Sequence, residues 1–297
     1  MIAAFAPAKL NLSLHVVGKR IDGYHLLDSL VAFADIGDEI LVAPNELLTL
    51  SIDGPFAREL LETPDNLVLR AARALGESLG LADGAKIRLT KNLPVASGIG
   101  GGSADAAATL RALGQLWGGL PEPDRLAELA YALGADTIAC LAAEPAWMSG
   151  TGEILEPVGP LPDAGLLLVN PGVAVATPQV FRARSGAFSK PARFDIPGDA
   201  AGLARALAGT GNDLAAAART LAPEIGEVLA ALENLPGTLL ARMSGSGATC
   251  FALFAGRAEA RAAAERLRAS APPGWWVAAG GWHKPPEPAV VGLRGGC

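Results

Sequence analysis

Three groups of residues in this chain of 297 have types and spacing suited to chemistry. The first lies in Leu93 to Leu110, LPVASGIGGGSADAAATL. There Ser97, Gly98, Gly100, Gly101 and Gly102 crowd ahead of Ser103, and small residues follow at helical spacing. Glycine lets backbone N–H groups come close to a ligand, and a helix N-terminus adds partial positive charge. Together they make an anion site, and a polyphosphate is the usual occupant. The second group is Lys9 and Asn11, which share a face of an alternating run. A lysine beside an amide suits a phosphate or a substrate hydroxyl. The third is Asp136, just past a glycine helix stop in Gly134-Ala135-Asp136-Thr137. A carboxylate there can act as general base or charge partner. Each group also has a plainer reading: a glycine loop capped by Ser103, the solvent face of an ordinary strand, and a cap on the next helix. Two named phosphate motifs fail on spacing. No lysine follows the second glycine as in a Walker loop, and the sixth position from Gly98 is Ser103, not the last glycine of GxGxxG.

The elements that must position these groups follow from periodicity. Ile2 to Val17 alternates and reads as a half-buried strand. Asp22-Gly23 marks a turn, and Tyr24-His25 opens the next strand; two flat side chains there can stack on a base or merely cap a core. Leu26 to Phe33 and Glu39 to Val42 read as two strands separated by Asp35 to Asp38, and Glu46 to Ile52 continues the β-rich half. An apolar stripe predicts a helix over Leu67 to Leu79, with Asp65 or Asn66 as N-cap. Ala85 to Lys91 is a strand leading into the glycine loop, whose helix ends near Trp117-Gly118-Gly119. Pro123 to Leu133 is a helix stopped by Gly134. The pattern changes near Ala146 to Gly152, which divides the chain into domains at 1–148 and 149–284, with 285–297 a loose tail. The second half reads as a strand at Leu166 to Val169, a short helix from Thr177 through Phe181, and a loop over Ser185 to Gly198. Helices follow at Asn212 onward, Pro223 to Leu232 and Glu259 to Leu267, and strands at Leu239 to Met243, Thr249 to Phe254 and Trp275 to Ala279. Ser244-Gly245-Ser246-Gly247-Ala248 is a second glycine-rich turn.

Composition narrows the function. Half the residues are hydrophobic (51%), enough for a sizeable core. The net charge of −6 and the lack of a basic cluster with interleaved aromatics argue against nucleic acid as a partner. No apolar run is long enough to span a bilayer, and the start lacks a signal-peptide pattern. Cys140, Cys250 and Cys297 are scattered and suggest neither disulfides nor zinc, so a cytoplasmic setting is expected. The oligomeric state, monomer or homodimer, stays open.

Taken together, Pro7-Ala8-Lys9-Leu10-Asn11-Leu12, Pro94 to Ala108, and Ser244 to Ala248 resemble the three motifs of the GHMP kinases, a superfamily of small-molecule kinases. Asp22-Gly23-Tyr24-His25 and Gly134-Ala135-Asp136 narrow the resemblance to the branch acting on a cytidylyl-methylerythritol in the non-mevalonate route to isoprenoid precursors. It implies a two-domain α+β fold with the active site in the interdomain cleft, and ATP as donor to the substrate's 2-hydroxyl. By resemblance, Asp136 is the catalytic base and Lys9 the catalytic lysine. Pro94, Gly98, Gly100, Gly101, Gly102 and Ser103 belong to the loop that wraps the ATP phosphates, with Asn66 and Lys91 near the adenine. Asn11, Tyr24 and His25 hold the substrate, the last two near the cytosine, whose other side Phe181 covers in the segment that begins at Thr177. Gly245, Ser246 and Gly247 close the site from the second domain. Mg²⁺ is expected with ATP, with Ser103 the candidate ligand. Two positions depart from the pattern: Thr137-Ile138 replaces a valine-proline pair after GAD, and Val31 stands where some members carry a cytosine-stacking aromatic. Homoserine, mevalonate or a sugar remain alternative substrates, and a non-catalytic nucleotide-binding protein an alternative role. The Tyr24-His25 pair favours a base-bearing substrate.

Overall fold

The structure is a computed structural model that describes residues 1–61, 66–81 and 84–284. Asp65, Cys297 and the expected tail lie outside the described residues. Two sheets organise the chain. The first has seven strands, β1 (Ile2–Asn11), β2 (His15–Lys19), β3 (His25–Asn45), β4 (Thr49–Asp53), β5 (Gly84–Thr90), β6 (Ala146–Gly150) and β7 (Ile154–Pro157). The second is an antiparallel set of β8 (Gly165–Asn170), β9 (Leu240–Met243), β10 (Cys250–Phe254) and β11 (Trp276–Gly280), in the order β11-β8-β10-β9.

Strand β3 is the hub of the first sheet, pairing with β1, β2, β5 and β6. It runs unbroken through Asp35 to Asp38, where the sequence predicts a gap between two strands. The reason is that both aspartates find partners outside the ladder. Asp38 is fully buried and accepts from the backbone N–H groups of Asn92 and Leu93. Asp35 accepts from Gly281 N and pairs with Arg257. With those carboxylates satisfied, the backbone stays extended.

Helices α1 (Ala57–Leu61), α2 (Leu67–Leu79), α3 (Gly101–Leu116), α4 (Pro123–Leu133) and α5 (Ala135–Ala142) belong to the first half of the chain. Asn66 caps α2 by accepting from Val68 N, as one of the two predicted caps. The second half adds α6 (Thr177–Ala183), α7 (Ala200–Ala208), α8 (Ala215–Leu221), α9 (Glu224–Glu233) and α10 (Arg257–Ser270). The N-cap Asp199 of α7 accepts from Gly202 N, and this helix is not anticipated by the sequence reading. The expected division at 148/149 lies inside β6, and the chain leaves the first sheet only after Pro157.

Alternation along β1 and β3 places the cores. Ala8, Leu10, Leu12, Leu30 and Ala32 join Leu166, Leu168 and Phe251 in a core between the sheets. The opposite face of β3, with Val31 and Phe33, packs with Ala106, Leu110 and Leu113 of α3. From Ala6 to Asn11 both faces of β1 are therefore covered, so the expected half-buried strand is buried on each side there, Lys9 and Asn11 included. Val31 is fully buried in the core.

Candidate active site

Lys9 follows a bulge between Pro7 and Lys9 in the β1 ladder, and its backbone N–H donates to Ile99 O in the glycine loop. Its buried ammonium reaches Asp136 Oδ1 at 2.5 Å. Asp136 stands in the first turn of α5 and keeps 38% of its side chain exposed. The glycine loop closes over this pair. Gly100 N-caps α3 at φ +64°, and a Cβ there would stand 3.2 Å from Lys9 Cβ. Glycine thus meets both the backbone angle and the passage of the lysine. Ser103 is not the cap; it lies inside the first turn of α3, whose leading N–H groups have no partner within the helix.

One hydroxyl joins the three sequence motifs. Ser244 Oγ accepts from Asn11 N and donates to Gly98 O, each at 3.1 Å. Thr249 N donates to Ser97 O at 3.0 Å, so the second glycine turn is bonded to the first. Asn11 donates from its side chain to Ser29 Oγ, which leaves its carbonyl toward Gly245. Thr177 and Ser246 share a hydroxyl hydrogen bond of 2.7 Å.

These groups line one cavity of about 570 Å³. Lys9, Asn11, Asn66, Lys91, Pro94 and Asp136 are on its wall, with Gly98, Gly100, Gly101, Gly102 and Ser103 of the loop. Thr177, Phe181, Gly245 and Ser246 close it from the second half of the chain. Gly247 sits behind the turn against Met243 and Ile225. Tyr24 is exposed and outside the cavity. His25 is also outside the lining, and its ring stacks on Phe181 with centroids 5.0 Å apart. Partial burial, then the charges of Lys19 and Arg184, hold His25 below its ordinary pKa.

Lys91 has an environment that spacing does not reveal. Its ammonium is buried and held by Asp38 at 2.5 Å and Asp105 at 2.7 Å. Burial pulls its pKa down, but the two carboxylates outweigh that and leave it above the ordinary value. Burial pushes Asp105 up to about 7, with Lys91 opposing and Asp38 adding to the rise. This cluster ties β3, the chain ahead of the loop, and α3 together. The sequence reading misses Asp38 and Asp105; the only local signal is a carboxylate inside the alanine run of α3.

Residues 66–144 match the GHMP kinases N terminal domain and residues 192–272 the GHMP kinases C terminal domain. A 4-diphosphocytidyl-2-C-methyl-D-erythritol kinase of Paramagnetospirillum magneticum is 56% identical over 274 residues, 92% of this chain and 95% of the relative. One from Cereibacter sphaeroides is 58% identical over 280 residues, 93% of this chain and 98% of the relative. The chain belongs to the 4-diphosphocytidyl-2-C-methyl-D-erythritol kinase family.

It is thus an ATP-dependent small-molecule kinase with the GHMP two-domain α+β fold. A crystal structure of 4-(cytidine 5'-diphospho)-2C-methyl-D-erythritol kinase superimposes with a TM-score of 0.75 at 37% identity, covering 95% of this kinase and all (100%) of that chain. A homoserine kinase from Cytophaga hutchinsonii shares the fold, with a TM-score of 0.67 at 22% identity over 94% of each chain. Among the described residues of the kinase no helix is long and apolar enough to cross a membrane.

Proposed function

We propose that this kinase uses ATP to phosphorylate the 2-hydroxyl of 4-diphosphocytidyl-2-C-methyl-D-erythritol, in the non-mevalonate route to isoprenoid precursors. The observation that carries the reading is the Lys9–Asp136 pair beside the glycine loop, in one cavity with Asn11, Thr177 and Phe181. In this reading the first sheet and its helices hold the nucleotide, and the second half of the chain brings the substrate side.

Phosphoryl transfer asks a protein mainly for positioning and charge stabilisation. A tertiary alcohol is a weak nucleophile until its proton is accepted. Asp136 accepts that proton as the new O–P bond forms and the bond to the β,γ-bridging oxygen breaks, releasing ADP. Lys9 adds positive charge beside Asp136 and the transferring phosphoryl group. The N–H groups of Gly101 to Ser103, free at the start of α3, would hold the phosphates. When bound with the nucleotide, Mg²⁺ would supply charge neutralisation at the phosphates. Ser103 would offer it a hard oxygen donor, and Ser103 Oγ faces the α5 side, 3.6 Å from where a Cβ on Gly134 would stand. Asn66 and Lys91 flank the nucleotide end. Asn11 and Thr177 serve the substrate, with Phe181 and the His25 ring stacked on it at the cytosine.

The test is ADP release with Mg-ATP and, in separate reactions, the cytidylyl compound, mevalonate and homoserine. Turnover is expected with the cytidylyl compound alone; turnover with another alcohol would replace it as substrate. Asp136→Asn should lower kcat by about 10²–10⁴-fold while ATP still binds. Full activity in that variant would remove Asp136 from the mechanism.

A further inference from the structure

Arg111 lies inside α3, well behind the phosphate loop, and touches nothing in the cavity. Its guanidinium makes three hydrogen bonds, all to backbone carbonyls. Nη1 donates to Cys140 O at 2.9 Å and Leu141 O at 3.3 Å, and Nη2 donates to Phe5 O at 3.0 Å. Cys140 and Leu141 belong to the last turn of α5, where carbonyls lack partners within a helix. Phe5 is on β1, the strand that carries Lys9.

We infer that Arg111 is a positioning residue for phosphoryl transfer: it ties the helix of Asp136 and the strand of Lys9 to the helix that begins at the phosphate loop. The inference rests on the reading of Lys9 and Asp136 as the reacting pair. Those two residues meet across elements far apart in sequence, and each element needs a shared reference. A planar fork of five donors in fixed geometry reaches carbonyls on two elements at once, a span that the compact ammonium of a lysine does not match. A cation at the C-terminal end of α5 also complements its dipole. The groups facing the guanidinium are the Cys140 thiol, which burial keeps neutral at ordinary pH, and His283. Among the described residues no carboxylate accepts from it, so its bonds go to backbone geometry.

A misplacement of about 1 Å at a reacting pair can cost up to about 10²-fold in rate. Arg111→Met should therefore lower kcat by about 10–100-fold while the KM for ATP stays within about two-fold. Arg111→Lys should fall between wild type and Arg111→Met. The deciding comparison is a double-mutant cycle with Asp136→Asn. With the base already gone, Arg111→Met should lower the residual kcat by less than about two-fold. Equal losses in both backgrounds would mark a general loss of folded enzyme and overturn the inference. So would wild-type kcat in a folded Arg111→Met or Arg111→Lys protein. Where Arg111→Met does not fold, the same cycle is run with Arg111→Lys. If Asp136→Asn alone keeps full kcat, the Lys9–Asp136 reading falls and takes this inference with it. An inactive Asp136→Asn beside a fully active Arg111→Met overturns the role of Arg111 alone.

Discussion

Asp105 shows how a single buried residue couples the packing around the glycine loop to pH. Its carboxyl is buried beside Lys91 and Asp38, and its Oδ1 has no hydrogen-bond partner. Burial raises its pKa to about 7 in the folded protein, from an ordinary 3.8. Between those values the folded chain holds a proton that the unfolded chain has lost. The stability tied to that proton is therefore present at low pH and is lost as pH rises toward 7. Asp105→Asn removes this slope, because a side-chain amide does not titrate in this range. Urea midpoints at pH 5 and pH 8 should show the variant gaining on the wild type as pH rises. Parallel curves would mean that Asp105 does not titrate in this range. At this scale Lys9 and Asp136 are legible because their motifs resemble a known pattern. Asp38 and Asp105 are not, since each becomes a partner of Lys91 only when β3 and α3 pack.

Among the elements, the two glycine turns act as one unit. Gly98 has φ +76°, and a Cβ there would meet Gly247 O at 2.6 Å and Ser244 O at 2.8 Å. Those atoms are backbone and cannot swing aside. Gly98→Ala should cost more than about 1 kcal/mol of stability, and should weaken ATP binding by about tenfold or more, because separating the turns moves the phosphate loop. Gly119, after α3, has open space around it, so Gly119→Ala should stay within about 0.5 kcal/mol of wild type. Thermal melts and nucleotide titrations of the two variants check the contrast; equal behaviour would mean that the turns do not depend on each other. Most elements were legible from periodicity, α2, α3, α4 and the strand β5 among them. The continuity of β3 was not, because Asp35 and Asp38 carry the turn signal of polar residues and lose it only to distant partners.

For the whole molecule, the long segment 184–198 acts as a strap between the two halves. Arg193 reaches back to buried Asp28 at 2.8 Å and to Glu156 at 2.7 Å, and its guanidinium lies over Trp147. Ala192 N also donates to Asp28, and Ser189 N to Val16 O. The strap follows directly on α6, which carries Thr177 and Phe181. Arg193→Ala should leave Asp28 without its ionic partner and loosen that segment. Limited proteolysis within 185–198 should accelerate, and the KM for the alcohol substrate should rise while that for ATP holds. Unchanged cleavage and KM would show that the remaining bonds suffice.

The chain's own letters settle its class, most of its helices and most of its strands, since hydrophobic period, caps and glycine placement are local properties. They also settle its family, because three short motifs with their spacing survive in a linear reading. What awaited folding was partnership. The bond from Lys9 to Asp136, the burial of Lys91 between two carboxylates, the stack of His25 on Phe181 and the grip of Arg111 on two elements all join residues distant in sequence. No local period encodes such contacts; they form only when both sheets bury the faces of β1 and β3 and bring those residues within bonding distance.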